Sequence, residues 1–108
     1  MRRGDIVIVA LQGDFGKPRP ALVIQSDLFA EHPTVTILPI TSDLRGTPLF
    51  RLNVEPEAGN GLRQPCQIMV DKAQSVRKEK IGGRIGRLED SRMLMVSQAL
   101  ALWMGLAQ

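Results

Sequence analysis

A compact antiparallel sheet or barrel, completed by one C-terminal helix, is the fold this sequence predicts. The first observation is a series of short apolar runs, rich in Val, Ile, Leu and Thr, separated by turn-forming Gly, Pro and Asp. The second is residues 89–108, where apolar positions recur at helical rather than strand spacing. The third is length: 108 residues suffice for one modest core, so residues 1–108 are read as a single domain.

The elements follow in order. DIVIVAL (5–11) opens the chain, and the loop QGDFGKPR leads into PALVIQ (20–25). A polar link with His32 and Pro33 precedes TVTILPI (34–40), and TSDLRGTP turns the chain into LFRLNV (49–54). EPEAGNGLRQP is a loop dense in turn residues; its GNG (59–61) precedes no helix and so offers no phosphate cradle. QIMVD (67–71), AQSV (73–76) and GRIGRL (83–88) complete the strands. Several runs are apolar at consecutive positions, so both faces of the sheet need a cover. In the C-terminal helix, Glu89 or Asp90 caps or charges the N-terminus. Met93, Val96, Leu100, Trp103 and Ala107 form one stripe, and Leu94, Met95, Ala99, Leu102 and Leu106 extend the apolar arc. An arc wider than one packing face predicts a homodimer, with Leu100, Trp103 and Met104 at the partner contact.

Composition narrows the class. Hydrophobic residues make up 44% and charged residues 23%, as in an ordinary globular protein. No apolar run reaches membrane-spanning length and MRRGD lacks a signal-peptide core, which predicts a cytoplasmic protein without membrane contact. The single cysteine, Cys66, has no internal disulfide partner; it reads as a small buried hydrophobe, with a reactive thiol left open. Residues 72 to 92 hold seven basic groups (Lys72, Arg77, Lys78, Lys80, Arg84, Arg87, Arg92) against three acidic ones, so this strip carries +4 and the rest of the chain −1, for a net charge of +3. Such a strip suits an anionic partner, nucleic acid included, and is equally what a solvated hairpin face looks like. Aromatic residues are only 4%, and Phe15, just before Lys17, is the one candidate for stacking on a base.

Two chemistries are poorly supplied. One histidine and one cysteine do not furnish a zinc site, and no carboxylate cluster has the spacing of a magnesium site. No Cys-His or Ser-His pairing is suggested either, which leaves histidine-driven nucleophilic catalysis little support. What stands out is KPRPALVIQSD (17–27), where Arg19 lies between two prolines ahead of an apolar strand. Pro18 and Pro20 fix their own φ, and Pro20 keeps Arg19 extended, so the guanidinium sits on stiff backbone. That suits a functional arginine and also an edge-strand start with Arg19 in solvent. Thr41 and Ser42 at the end of TVTILPI, with Asp43 after them, and Asp71 at the end of QIMV, are the remaining candidates at strand ends.

RGDIVIV, RPALVIQSD, LPITSDL and QPCQIMVDKAQSVRKEKIGGRIGRL, in that order, resemble the successive signature blocks of the PemK/MazF family of toxins. The resemblance implies a small SH3-like antiparallel barrel with a C-terminal helix, in a protein that is usually dimeric. It implies a ribosome-independent endoribonuclease that cuts single-stranded RNA with no metal or other cofactor and is neutralised by a cognate antitoxin. The family's catalytic arginine falls on Arg19, and its strand-end hydroxyl on Thr41 with Ser42 beside it. Some members carry an Arg-x-Asp pair; Asp71 matches the acid, but Met69 stands at the arginine position. Asp71 is then the candidate base for the 2′-hydroxyl, and Phe15, Lys17, Arg45, Lys72 and Arg77 are candidate RNA contacts.

A rival reading comes from the gyrase-poisoning toxin CcdB, which shares this fold and acts through a C-terminal Trp-Gly-Ile. LWMGLAQ (102–108) resembles that tail loosely, with Met104 between Trp103 and Gly105. CcdB lacks the RPxLVI arginine, which makes Arg19 the discriminating residue. A catalytically inactive relative is the third reading.

Overall fold

The computed structural model describes residues 1–11 and 17–107. Each predicted run overlaps a strand: β1 (Asp5–Ala10), β2 (Pro18–Val23), β3 (Thr34–Thr41), β4 (Arg51–Val54), β5 (Cys66–Met69), β6 (Gln74–Arg77) and β7 (Ile81–Arg87), followed by the helix α1 (Asp90–Trp103). The strands form one antiparallel sheet in the order β4-β5-β3-β2-β1-β7, with β6 also paired to β3.

The connectivity forces this sheet to roll. β6 and β7 end the path β6-β3-β2-β1-β7, yet only the 3-10 turn Lys78–Lys80 joins them. Four strand spacings in a flat sheet amount to about 19 Å, whereas three residues of 3-10 helix advance about 6 Å. Rolling creates an inside and an outside, and consecutive apolar residues serve both. Val7, Val9, Ala21, Val23, Val35 and Ile37 fill the inside, with Leu11, Val76 and Ile81 packed against them. Their chain neighbours Ile6, Leu22 and Leu38, together with Ile40 and Ile68, face outward and are covered by Met93, Val96 and Ala99 of α1. The expected cover for both faces is therefore the sheet's own curvature on one side and the helix on the other.

The helix differs in detail from its predicted stripe. Ala99 joins Met93 and Val96 in the core, while Leu100 is half-buried against the same cluster. Trp103 is half-exposed, its ring tilted against Phe50 with centroids 5.5 Å apart. Ala107 lies beyond the helix, because Gly105 at φ 75° reverses the chain. The Leu106 N–H bonds Ala101 O at 2.8 Å and the Gly105 N–H bonds Leu102 O at 3.2 Å, the pairing of a left-handed helix stop. At the other end Glu89 makes no side-chain cap, so Asp90 supplies charge only. Among the described residues no helix is long and apolar enough to cross a membrane.

The GNG turn is explained by close approach. A Cβ on Gly86 of β7 would sit 2.3 Å from the Asn60 carbonyl carbon, so only glycine lets the loop lie on the strand. Buried Asn60 holds that loop, donating to Glu55 O at 2.9 Å and accepting from the Leu62 N–H at 3.0 Å.

A buried carboxylate ties β1 to β7. Asp5 accepts from the Arg2 N–H at 2.8 Å, from Arg84 Nε at 3.2 Å and from Arg87 Nη1 at 3.2 Å. Burial by itself pushes its pKa up, but these hydrogen bonds together outweigh burial and hold it below the ordinary 3.8. A depressed acid stabilises the fold above that ordinary value and loses its contribution as pH falls through the folded-state value. Asp5→Asn should cost roughly 1.5–3 kcal/mol at neutral pH, and urea titrations should show the gap to the unmodified protein closing in acid. An equal gap at both pH values would contradict this assignment.

Candidate active-site cleft

Two prolines open the sheet at one point. In an antiparallel strand alternate residues present their backbone groups to opposite neighbours, so Pro18 and Pro20 leave the same edge without donors. β1 still pairs along that stretch, Val9 with Arg19 and Ala10 with Pro18. On the other side the ladder to β3 runs Val23↔Ile37, Leu22↔Leu38, Ala21↔Pro39 and stops. Its next register would set Pro20 against Ile40 and Arg19 against Thr41, but Pro20 has no N–H to give. β3 continues instead on its other edge, Ile40↔Ile68 and Thr41↔Gln67 with β5. The parted strands form one wall each of a cleft of about 610 Å³, lined by Arg19, Pro20, Pro39, Thr41, Ser42 and Asp43 and floored near Cys66 and Met69.

Arg19 is therefore within β2 rather than in the loop before it, because an extended proline meets the needs of a strand that is paired on one edge only. Its side chain is exposed and lines the cleft. Thr41 is the last residue of β3; its Oγ1 accepts the Asp43 N–H at 3.0 Å, which fixes the hydroxyl while leaving its own proton to donate. Ser42 is exposed beside it. Asp43 accepts from Arg45 Nη2 at 2.8 Å and Nε at 3.2 Å. That hydrogen bond and the Arg45 charge hold the Asp43 carboxyl below its usual range and raise the pKa of Arg45 in turn.

The other expected residues divide. Lys72 lines the cleft, and Lys17 is exposed just ahead of β2. Arg45 is committed to Asp43 at the rim. Asp71 is not among the cleft-lining residues: it lies in the 3-10 turn Val70–Lys72, largely buried, with Oδ2 3.7 Å from Lys72 Nζ. Arg77 pairs with Thr34 at the start of β3, the end remote from Thr41, and is 3.4 Å from Glu79. Phe15 falls outside the described residues. Leu100 is turned to the core, whereas Trp103 and Met104 are exposed beside Leu102 and Leu106. Among the described residues no group of three or more His, Cys, Asp or Glu is placed to hold a metal ion.

One contributor escaped the sequence reading. Gln67, 5% exposed, receives the Arg45 N–H on Oε1 at 2.9 Å and donates Nε2 to Arg45 O at 2.8 Å and to Asn53 Oδ1 at 2.9 Å. A glutamine at an otherwise apolar strand position was the available signal, since a buried amide needs partners.

Residues 2–104 match the PemK-like, MazF-like toxin family of type II toxin–antitoxin systems. The chain belongs to that family. A probable endoribonuclease MazF of Mycolicibacterium smegmatis is 39% identical over 108 residues, covering 99% of each chain. The Mycobacterium tuberculosis toxin MazF-mt6 superposes with a TM-score of 0.82 at 30% identity, over 96% of this chain and 99% of that one. An endoribonuclease from Mycobacterial species, solved in complex with its cognate antitoxin, gives a TM-score of 0.83 over 100% and 98% of the two chains; at 19% identity that likeness is one of fold. The expected barrel-like sheet with a C-terminal helix is thus the architecture of this PemK-like, MazF-like toxin.

The toxin's cysteine is a wall, not a reagent. Cys66 is buried and its Sγ donates to Gln64 O at 3.2 Å; burial first, then the Glu55 charge, raise its pKa above 9.0. Little thiolate exists near neutrality, so alkylation by iodoacetamide should be far slower than for a free thiol and should accelerate above pH 9. Reaction at the free-thiol rate near pH 7 would contradict this.

Proposed function

We propose that this toxin is a metal-independent, sequence-specific endoribonuclease that cuts single-stranded RNA in the cytoplasm and is neutralised by a cognate antitoxin. The observation that carries the reading is the proline-opened seam, which presents the Arg19 guanidinium and the Thr41 and Ser42 hydroxyls to one cleft. RNA brings its own nucleophile. The 2′-oxygen attacks the adjacent phosphorus and loses its proton to a base; the P–O5′ bond breaks, and the 5′-oxygen takes up a proton. The products are a 2′,3′-cyclic phosphate and a 5′-hydroxyl. Arg19 offers a planar fork of donors to the phosphate oxygens, on backbone already stiffened, and Thr41 and Ser42 donate to the remaining oxygen.

The basic residues act at different removes. Lys72 meets the backbone inside the cleft, and Lys17 and Arg45 meet it at the rim. Asp71 stands 3.7 Å from Lys72 Nζ, a placement that suits orienting this lysine better than serving as the base. Phe15 keeps its candidacy as a stacking surface, while Arg77, on β6 opposite Thr34, lies at the end of β3 remote from Thr41 and is too far off to share this phosphate. An acidic antitoxin segment suits the Arg19 and Thr41 walls by charge. The exposed Leu94, Leu102, Trp103 and Met104 suit a second copy of the chain.

The decisive experiment is incubation with mixed-sequence RNA in EDTA, followed by end-group analysis. Cleavage with cyclic-phosphate ends is expected, and an oligonucleotide with one deoxyribose at the cut should remain intact. Arg19→Ala should lose on the order of 10²–10³-fold in rate. Arg19→Lys should fail nearly as badly, because an ammonium does not reproduce the bidentate fork. Thr41→Ala should lose less, since Ser42 adjoins it. Cutting of the deoxy-substituted strand would overturn internal attack, and normal cleavage by Arg19→Ala would overturn the site. Light scattering should give a dimer; a stable 11.9 kDa monomer at micromolar concentration would exclude it.

A further inference from the structure

Gln67 grips the segment Thr41–Arg45 at both ends. Its backbone pairs with Thr41 in the β3–β5 ladder, and its side-chain amide pairs with both peptide groups of Arg45. The amide thereby acts as one more rung of a sheet where no strand is present. The residue is saturated: Nε2 uses two donors on Arg45 O and Asn53 Oδ1, and Oε1 accepts from the Arg45 N–H and, at 3.4 Å, from Arg51 Nη1. Arg51 also donates to Asp43 O at 3.0 Å, and Asn53 stands directly opposite Gln67 across β4 and β5. Five residues thus bow out between two points held by one side chain and its own backbone. Ser42 and Asp43, at the crest of that bow, line the cleft, and the Thr41 hydroxyl is aimed by the Asp43 N–H.

We propose that Gln67 is a positioning residue of the RNA-cleaving cleft: by clamping Arg45 it sets where Thr41 and Ser42 stand relative to Arg19. The inference rests on the endoribonuclease reading above. Gln67 itself lies behind the wall, 5% exposed, and touches no substrate. Its loss leaves Arg19 on β2 untouched, because the prolines and the β1 ladder hold that side of the cleft. Capture of the RNA backbone therefore survives, while the alignment of hydroxyl donors with the reacting phosphate is lost.

The test compares Gln67→Met, similar in length but without hydrogen bonds, with Gln67→Glu, which retains an acceptor for the Arg45 N–H but no donor for Arg45 O. Rates are measured on a cleavable RNA and normalised to the folded fraction. The expected result for Gln67→Met is a fall in kcat of about 10–100-fold with KM changed less than about twofold. Gln67→Glu should recover part of that loss. Hydrogen exchange at the Arg45 amide should accelerate in Gln67→Met while the amides of β1 and β2 keep their protection. A variant that merely melts earlier, with unchanged kcat per folded molecule, overturns the proposal, as does a rise in KM alone. If Gln67→Met does not fold, Gln67→Glu carries the comparison, and full activity there overturns it. Absence of cleavage by the unmodified protein would overturn the endoribonuclease reading itself, a result separate from an active parent with an indifferent Gln67.

Discussion

A donor that Pro20 does not have shapes everything around the cleft. The β2–β3 ladder is an ordinary antiparallel one as far as Ala21↔Pro39, and there it ends for want of one N–H. Because the prolines stand two apart, the loss falls on a single edge of β2, and β1 remains fully paired along the other. The result is a stiff strand that is firmly attached on one side and open on the other. An arginine mounted there is presented by backbone that has little freedom left to lose.

The two walls of the cleft are stabilised by different means. The Arg19 wall is held by ladder bonds and by the packed interior of Val7, Val9, Ala21 and Val23. The Thr41 wall is held by polar contacts, with Gln67, Asn53, Arg51 and Asp43 accounting for one another's donors and acceptors. Apolar packing resists distortion over many small contacts, whereas a buried amide network is sensitive to any one member. Arg45 is paired with Asp43 within its own loop, while Arg19 and Lys72 line the cleft from β2 and from the turn after β5.

Most of the fold was legible because strands apolar on both faces, such as DIVIVA and TVTILPI, leave few alternatives. Their adjacent apolar residues required two covers, and the rolled sheet and α1 are those covers. The start of β2 was misplaced by two residues because proline normally argues against a strand, and only the knowledge that one edge is unpaired reverses that argument. The helix stripe extended to Ala107 on periodicity alone, since Gly105 ends the helix by a φ that spacing does not encode. Of the residues lining the cleft, Arg19, Thr41 and Ser42 were singled out by proline stiffness, strand ends and family resemblance. Asp71 was harder: an acid at a strand end serves a turn or a site equally well, and its place in the 3-10 turn Val70–Lys72, beside the Lys72 ammonium, is set by backbone geometry that the sequence does not spell out. Gln67 stood out only as a polar residue in an apolar strand; its role depends on Arg45 and Asn53, partners distant in sequence.

The pairing of β1 has a consequence for the order in which the chain takes shape. β1 lies between β2 and β7, Gly4 bonds Leu88 through its carbonyl and Val23 through its N–H, and the Arg3 guanidinium reaches Ser97 of α1. During synthesis the first strand to emerge can find β2 early, but its other edge stays bare until β7 and the helix have followed. Contacts spanning so much of the chain close late and slow folding. Pairing of β1 with β7 and docking of α1 both wait for the last third of the chain, and a molecule released short of α1 would carry the cleft residues on a sheet with one face uncovered.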